Sequence, residues 1–213
     1  MKSHIVFAVT LGIFCAAQTV CAEDEKSISD LRDALIALSP RTVDPNEAAL
    51  LSETAHRTSR QCARDYGVTG DPAVHNYLIR IGKRKRGICA DYVHDIGAVL
   101  RELRFKTLVL RWGTAWEKES SENNGLIVTA RNQPFADGIV LDGWRRAGRL
   151  FWCPVREDHE YEVELYPALN QLGKQSHSGI TAWKEDPQGT ASLQPAPAKP
   201  QQPKRKTSRQ AGN

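Results

Sequence analysis

The sequence predicts an α+β fold: N-terminal helices, the last of them bearing Cys89, packed on an antiparallel sheet. Two patterns predict it. From Ile28 to Leu103 apolar residues recur every three or four positions, the period of one helical face. After Arg104 the pattern shortens to runs of Val, Ile, Leu, Trp and Phe separated by turn-formers, the signature of consecutive strands.

Each element has a local reason. Ile28, Leu31, Leu35 and Leu38 line one face of a first helix. Asp44-Pro45-Asn46-Glu47 opens a second. Asp can cap free N–H groups, Pro suits the first turn, and Glu three residues after the cap can reach back to it. This helix is expected to run to Tyr66 and stop at Gly67. Asp71-Pro72 opens a third, with Val74, Leu78 and Ile81 expected on its buried side. Gly82 ends it, and the basic loop Lys83-Arg84-Lys85-Arg86-Gly87 follows as a solvated connection, with an anion site as the sharper alternative. In the fourth helix Ile88, Tyr92, Val93, Ile96, Val99, Leu100 and Leu103 form one wide apolar face, and Cys89 falls in the first turn. Strands are expected within 106–113, 125–130, 138–144 and 149–155, where Trp112, Trp144 and Trp152 pack the sheet; Trp116 is expected to pack it too.

The two ends of the chain read differently. Lys2, an apolar run from Ile5 to Ala17, and Val20 and Ala22 at the −3 and −1 positions of a cut before Glu23 make residues 1–22 a secretory signal peptide. A cut after Ala17 is the second choice. The apolar run is too short for a hydrocarbon core of ~30 Å at about 1.5 Å per residue. Lipid anchoring does not fit either, because Phe14 and Val20 precede Cys15 and Cys21. A periplasmic or secreted protein without a membrane span is therefore expected. The folded domain is assigned to residues 23–172. Residues 173–213 read as a flexible to disordered tail, rich in Pro and ending in basic residues such as Lys204-Arg205-Lys206 and Arg209. The formal net charge of +4 is mild and concentrated in that tail, so no specific nucleic-acid partner is expected.

Once the signal leaves with Cys15 and Cys21, Cys62, Cys89 and Cys153 remain. In an oxidising compartment an odd number implies one disulfide and a free thiol, or a thiol kept for chemistry. No pair of Cys, His, Asp or Glu stands at a spacing such as C-x-x-C or H-E-x-x-H, and no Gly-rich phosphate loop occurs. Neither metal nor other cofactor is expected.

A cysteine in the first turn of a helix is suggestive chemistry. The free N–H groups and the helix dipole favour a thiolate there and can stabilise an oxyanion. The segment RGICADYV around Cys89, with TLVLRWG (107–113), ENNGLIVTA (122–130), QPFADGIVLDGWR (133–145) and GRLFWCPV (148–155), resembles bacterial exported proteins of the transglutaminase-like, papain-related superfamily. The resemblance implies a Cys-bearing helix on an antiparallel sheet whose strands supply a His and then an Asp or Asn. Cys89 matches the nucleophile and Asp142 the residue that orients the base. Asn123 stands where the His is expected.

Asparagine does not titrate near neutral pH, whereas histidine does. The resemblance therefore implies a degenerate Cys89–Asn123–Asp142 site, a pseudoenzyme that binds an envelope peptide or protein. The alternatives are a cysteine hydrolase or acyltransferase acting on peptide or amide bonds with another base, and a purely structural exported domain. The upstream Trp of transglutaminases is absent, since Trp112 is the first in the chain. His94 lies about 140° around its helix from Cys89. His75 is expected as a helix-surface or packing residue, His56 facing outward or packing at a helix flank, and His159 and His177 in loops. If Cys89 stays free, as the resemblance implies, Cys62 and Cys153 are the pair left for a disulfide.

Exported protein should begin near Glu23. Intact-mass measurement of periplasmic or secreted material checks this, and a mass retaining Lys2–Ala22 refutes it.

Overall fold

The computed structural model describes residues 23–115, 122–158 and 183–193. The signal peptide assigned to 1–22, Trp116, His159, His177 and the remainder of the tail lie outside the described residues.

Helix α1 covers residues 23–38 and buries Leu31 and Leu35. Helix α2 (Pro45–Tyr66) begins where expected: the Asp44 carboxylate accepts from the Asn46 N–H at 2.8 Å, and Gly67, at φ 69°, ends it in the left-handed region. Glu47 does not reach back to the cap. Its carboxylate accepts from the Lys106 and Thr107 N–H groups at 2.7 and 2.8 Å and from the Thr107 hydroxyl at 2.6 Å. It thus ties the helix start to the entry of the sheet.

Helix α3 (Pro72–Arg80) is capped by Asp71, which accepts from the Ala73 N–H at 2.7 Å. Its inward side differs from expectation. His75 is buried, while Val74 and Ile81 are exposed and Leu78 is half-buried. The reason is hydrogen bonding. The Trp144 indole N–H donates to Asn76 at 3.1 Å, and His75 Nε2 pairs with the Arg86 carbonyl at 2.9 Å. Polar side chains with firm partners thereby occupy the side that periodicity assigned to aliphatic ones. Helix α4 (Cys89–Glu102) buries Tyr92, Val93, Ile96 and Leu100, but Ile88 and Val99 are exposed, so its apolar face is narrower than expected.

Five strands follow: β1 (Leu108–Ala115), β2 (Asn123–Ala130), β3 (Ile139–Asp142), β4 (Phe151–Pro154) and β5 (Trp183–Glu185). All pairs are antiparallel, in the order β4-β3-β2-β1-β5, with Gly113 opposite Gly125, Leu126 opposite Leu141 and Val140 opposite Cys153. Side chains alternate between two cores. Leu108, Leu110, Leu126, Val128, Ile139 and Leu141 pack with the helices. Ala115, Ile127, Val140 and Phe151 pack on the other face with Val155 and Trp183. The chain is thus α+β, as its patterns predict. Among the described residues no helix is long and apolar enough to cross a membrane.

Two expectations need correction. Within the segment assigned to the tail, residues 183–193 are structured: β5 pairs with β1, and a short helix α5 (Pro187–Ser192) follows, capped by Asp186. Trp183 enters one core and Leu193 the other. Pro- and Gln-rich flanks dilute the composition there, yet one Trp, one Leu and one Asp-Pro helix start suffice for docking. Second, Cys62, Cys89 and Cys153 are all free thiols. Cys62 sits in the helix-side core and Cys153 packs on the opposite face, so the sheet separates the pair proposed for a disulfide.

Helix α1 is held to α2 through His56. The buried ring pairs with the Ser52 carbonyl at 2.8 Å and the Ser27 hydroxyl at 2.9 Å. Burial keeps its pKa below the ordinary 6.5, although the Ser52 carbonyl and Asp24 pull upward. The fold favours the neutral ring, so this contribution is present above pH 6.5 and is lost as pH falls through the lowered folded pKa. Urea midpoints should therefore decline below pH 6.5, and His56→Gln should flatten that decline while lowering stability at neutral pH.

Candidate thiol site

The start of α4 is set by a bend that demands glycine. Gly87 has φ 120°, and a Cβ there would lie 2.5 Å from His75 Nε2. The Asp91 carboxylate then accepts from the Gly87 and Ile88 N–H groups at 2.7 and 3.2 Å, capping the helix from its own first turn. Arg86 closes the outside, donating to Asp91 at 3.2 Å and Asp95 at 2.9 Å and lying over the Tyr66 ring. Asp95 also accepts from Tyr66 at 2.8 Å and pairs with His94 Nδ1 at 2.9 Å. His94 is thus turned to a carboxylate on its own helix, and Arg86 is engaged by two acids.

Cys89 is the first residue of α4 and is half-buried. Its Sγ accepts from Asn124 Nδ2 at 3.7 Å. The orientation of that amide is fixed from the other side. Asn124 Oδ1 accepts from Trp112 Nε1 at 2.7 Å and from the Thr114 hydroxyl at 3.2 Å. Indole N–H is a donor only, so the amide oxygen must face Trp112 and the NH₂ group is left for the sulfur and for Glu122, 3.2 Å away. Thr114 stands opposite Asn124 in the sheet, and strand alternation puts Trp112, Thr114 and Asn124 on the helix side.

Asn123, which stands where the resemblance leads one to expect a His, projects from the other side of β2. Its Nδ2 donates to Asp142 Oδ2 at 2.9 Å. Asn123 and Asp142 are thus hydrogen-bonded to each other, but the hydrogen bond to the thiol comes from Asn124. Asn123 Oδ1 is buried without a hydrogen-bond partner among the described residues. Such an orphan acceptor costs about 1–3 kcal/mol.

Asp142 is fully engaged. Besides Asn123 it accepts from the Trp144 and Arg145 N–H groups at 2.8 and 2.9 Å and from Arg145 Nε at 3.2 Å. Arg145 forks onto Asp158 at 2.7 and 2.8 Å, stacks over Phe151, and shares Asp158 with the Trp183 indole at 2.8 Å. All three charged side chains are almost wholly buried. Removing one partner from such a network costs about 3–5 kcal/mol, because it strands the others.

Burial pushes the Cys89 thiol above its ordinary value of 9.0. The side-chain and backbone N–H groups of Asn124 and the backbone of Ala90 pull it down, and the charge of Asp142 pushes it further up. The helix start alone suggests a lowered pKa; desolvation outweighs it here.

The C-terminal strap reaches this site through Trp112. The Trp112 N–H donates to the Thr190 hydroxyl at 2.9 Å, and its carbonyl accepts from the Asp186 N–H at 2.8 Å. Arg111 pairs with Glu185 at 2.9 Å, and Arg101 donates to the Ser192 carbonyl at 2.9 Å. Gly189 lies against the Trp112 ring, where an added Cβ would stand 2.6 Å from Cγ and 2.7 Å from Cδ2. Sequence reasoning missed Asn124, Glu122 and this strap. Strict strand alternation, which puts neighbours on opposite faces, was the signal available for Asn124. For the strap it was the Asp186-Pro187 helix start beside Trp183.

No protein-family model, curated protein or solved structure matches the chain.

Gly189→Ala gains roughly 1 kcal/mol of helix propensity, but the methyl must displace the Trp112 ring, an overpacking cost of about 1–3 kcal/mol. The variant should unfold at lower urea, and Cys89 should alkylate faster as the Trp112–Asn124–thiol chain loosens. Gln188→Ala, at an exposed neighbour, should change neither.

Proposed function

We propose that this chain is an exported, transglutaminase-like domain that holds an envelope peptide or protein at the Cys89 site without turning it over. The observation that carries this reading is the partner of the sulfur, a carboxamide: Asn124 Nδ2 at 3.7 Å. Thiol catalysis of acyl transfer needs a group that removes the thiol proton and returns it to the leaving atom. An amide does neither near neutral pH. Three of the histidines are engaged elsewhere: His56 with Ser52 and Ser27, His75 with Arg86, and His94 with Asp95.

Two further observations support the reading. The thiol is pushed above 9.0, so near neutral pH it is overwhelmingly protonated and a weak nucleophile. Asp142 is taken up by Asn123, Arg145 and the turn after β3 on the other side of β2, so it orients no proton acceptor at the thiol. In a hydrolytic triad the loss of the base costs roughly 10⁴-fold or more in rate. Binding contacts survive such a loss, because they do not depend on moving a proton.

Alkylation with iodoacetamide, followed residue by residue by mass spectrometry, tests this. Wild-type Cys89 should react slowly at neutral pH and accelerate only towards pH 9.0 and above. Asn124→His, which sets an imidazole on the thiol's own face of β2, should add a second limb at acidic to neutral pH that Cys89→Ala abolishes. Fast Cys89-dependent alkylation of the wild type at pH 5, or Cys89-dependent cleavage of peptide substrates, would establish the cysteine hydrolase reading instead.

A further inference from the structure

Helix α3 presents an apolar stripe to solvent. Val74, Tyr77 and Ile81, spaced three and four residues apart, are 58%, 51% and 46% exposed. Gly87 packs on His75 of the same helix, and the next residue, Ile88, is 39% exposed. These four are most of the large hydrophobic side chains that the described residues leave exposed; the others, Leu50 and Val99, are on α2 and α4. A ridge of this kind on a short helix has no walls, so it does not form a cleft for a peptide.

The same end of the domain carries uncompensated positive charge. Arg86 is paired with Asp91 and Asp95. Lys83, Arg84 and Lys85 beside it are exposed and make no ion pair among the described residues. Arg80 lies over the Tyr77 ring at 5.5 Å, setting a further cation at the edge of the apolar stripe. The surface therefore needs a partner that is anionic and apolar at once.

We propose that this end of the domain docks on an anionic lipid bilayer, with Val74, Tyr77 and Ile81 at the acyl boundary and Lys83 and Lys85 among the lipid phosphates. The chemistry excludes the other occupants one by one. A second copy of the chain would bring the two basic loops together. Nucleic acid would satisfy the cations but would cover the aliphatic residues without gain. A bilayer interface takes both: aliphatic side chains enter the boundary, a Tyr sits at headgroup level, and cations meet the surface charge. The reading does not depend on Cys89. It requires peripheral binding only, by side chains already exposed.

The test is co-sedimentation of the full chain with vesicles of equal parts phosphatidylglycerol and phosphatidylcholine, against pure phosphatidylcholine. The wild type should partition onto the anionic vesicles and not onto the neutral ones. Two double variants, Val74→Ser with Ile81→Ser and Lys83→Glu with Lys85→Glu, should each weaken partitioning roughly tenfold. All four positions are exposed, and circular dichroism should show unchanged folding. Undiminished binding by both variants would assign it to the basic tail around Lys204–Lys206 and overturn the proposal. Loss with the charge variant alone would reveal a plain electrostatic patch and overturn it too. Concentration-dependent dimerisation abolished by the Ser variant would name a second copy as the occupant and do the same.

Discussion

Strand β2 is buried along its whole length, and the rest of the structure is arranged around that constraint. It lies in the middle of the sheet, between β1 and β3, so each face must be covered. Leu126 and Val128 look towards α4, while Ile127 looks towards Phe151 and Trp183. On a strand with no solvent face an unsatisfied polar group is costly. Its first two residues are nonetheless asparagines, and each builds a polar cluster on its own face.

Those clusters do different work. On the helix side Asn124 is clamped by Trp112 and Thr114 and turns its amide to the thiol. On the far side Asn123 joins Asp142, Arg145 and Asp158, a buried charge network that holds the turn after β3 and receives the Trp183 indole. Asp142 is the acceptor for the turn that follows β3. Its local role is complete whether or not a base is present. This is why the Asp-Gly-Trp-Arg segment gives no evidence of turnover on its own.

At the thiol, two opposing effects meet in one residue. The helix start supplies free N–H groups, and the sheet and strap around it remove water. Desolvation of the half-buried thiol outweighs a few N–H contacts, and the balance falls on the protonated form. The strap contributes by seating Gly189 and Thr190 on Trp112, whose indole N–H sets the Asn124 amide. A segment whose composition reads as a tail is thereby three hydrogen bonds from the sulfur.

The sequence by itself determined the class of fold, the caps of α2 and α3, the four strands between 106 and 155, and the position of Cys89 at a helix start. These are local matters: a period of 3.6 or 2, an Asp-Pro pair, a glycine at positive φ. Tertiary structure alone decided which face of α3 goes inward, because His75 and Asn76 find partners that Val74 and Ile81 cannot replace. Register chose Asn124 over Asn123 as the partner of the thiol, since neighbours on a strand face opposite ways and only the β1–β2 pairing says which face the helix covers. It also separated Cys62 from Cys153 by the thickness of the sheet. The direction of the Cys89 pKa belongs to the same group. A helix terminus is legible in a chain of letters, whereas burial is a property of everything packed around it.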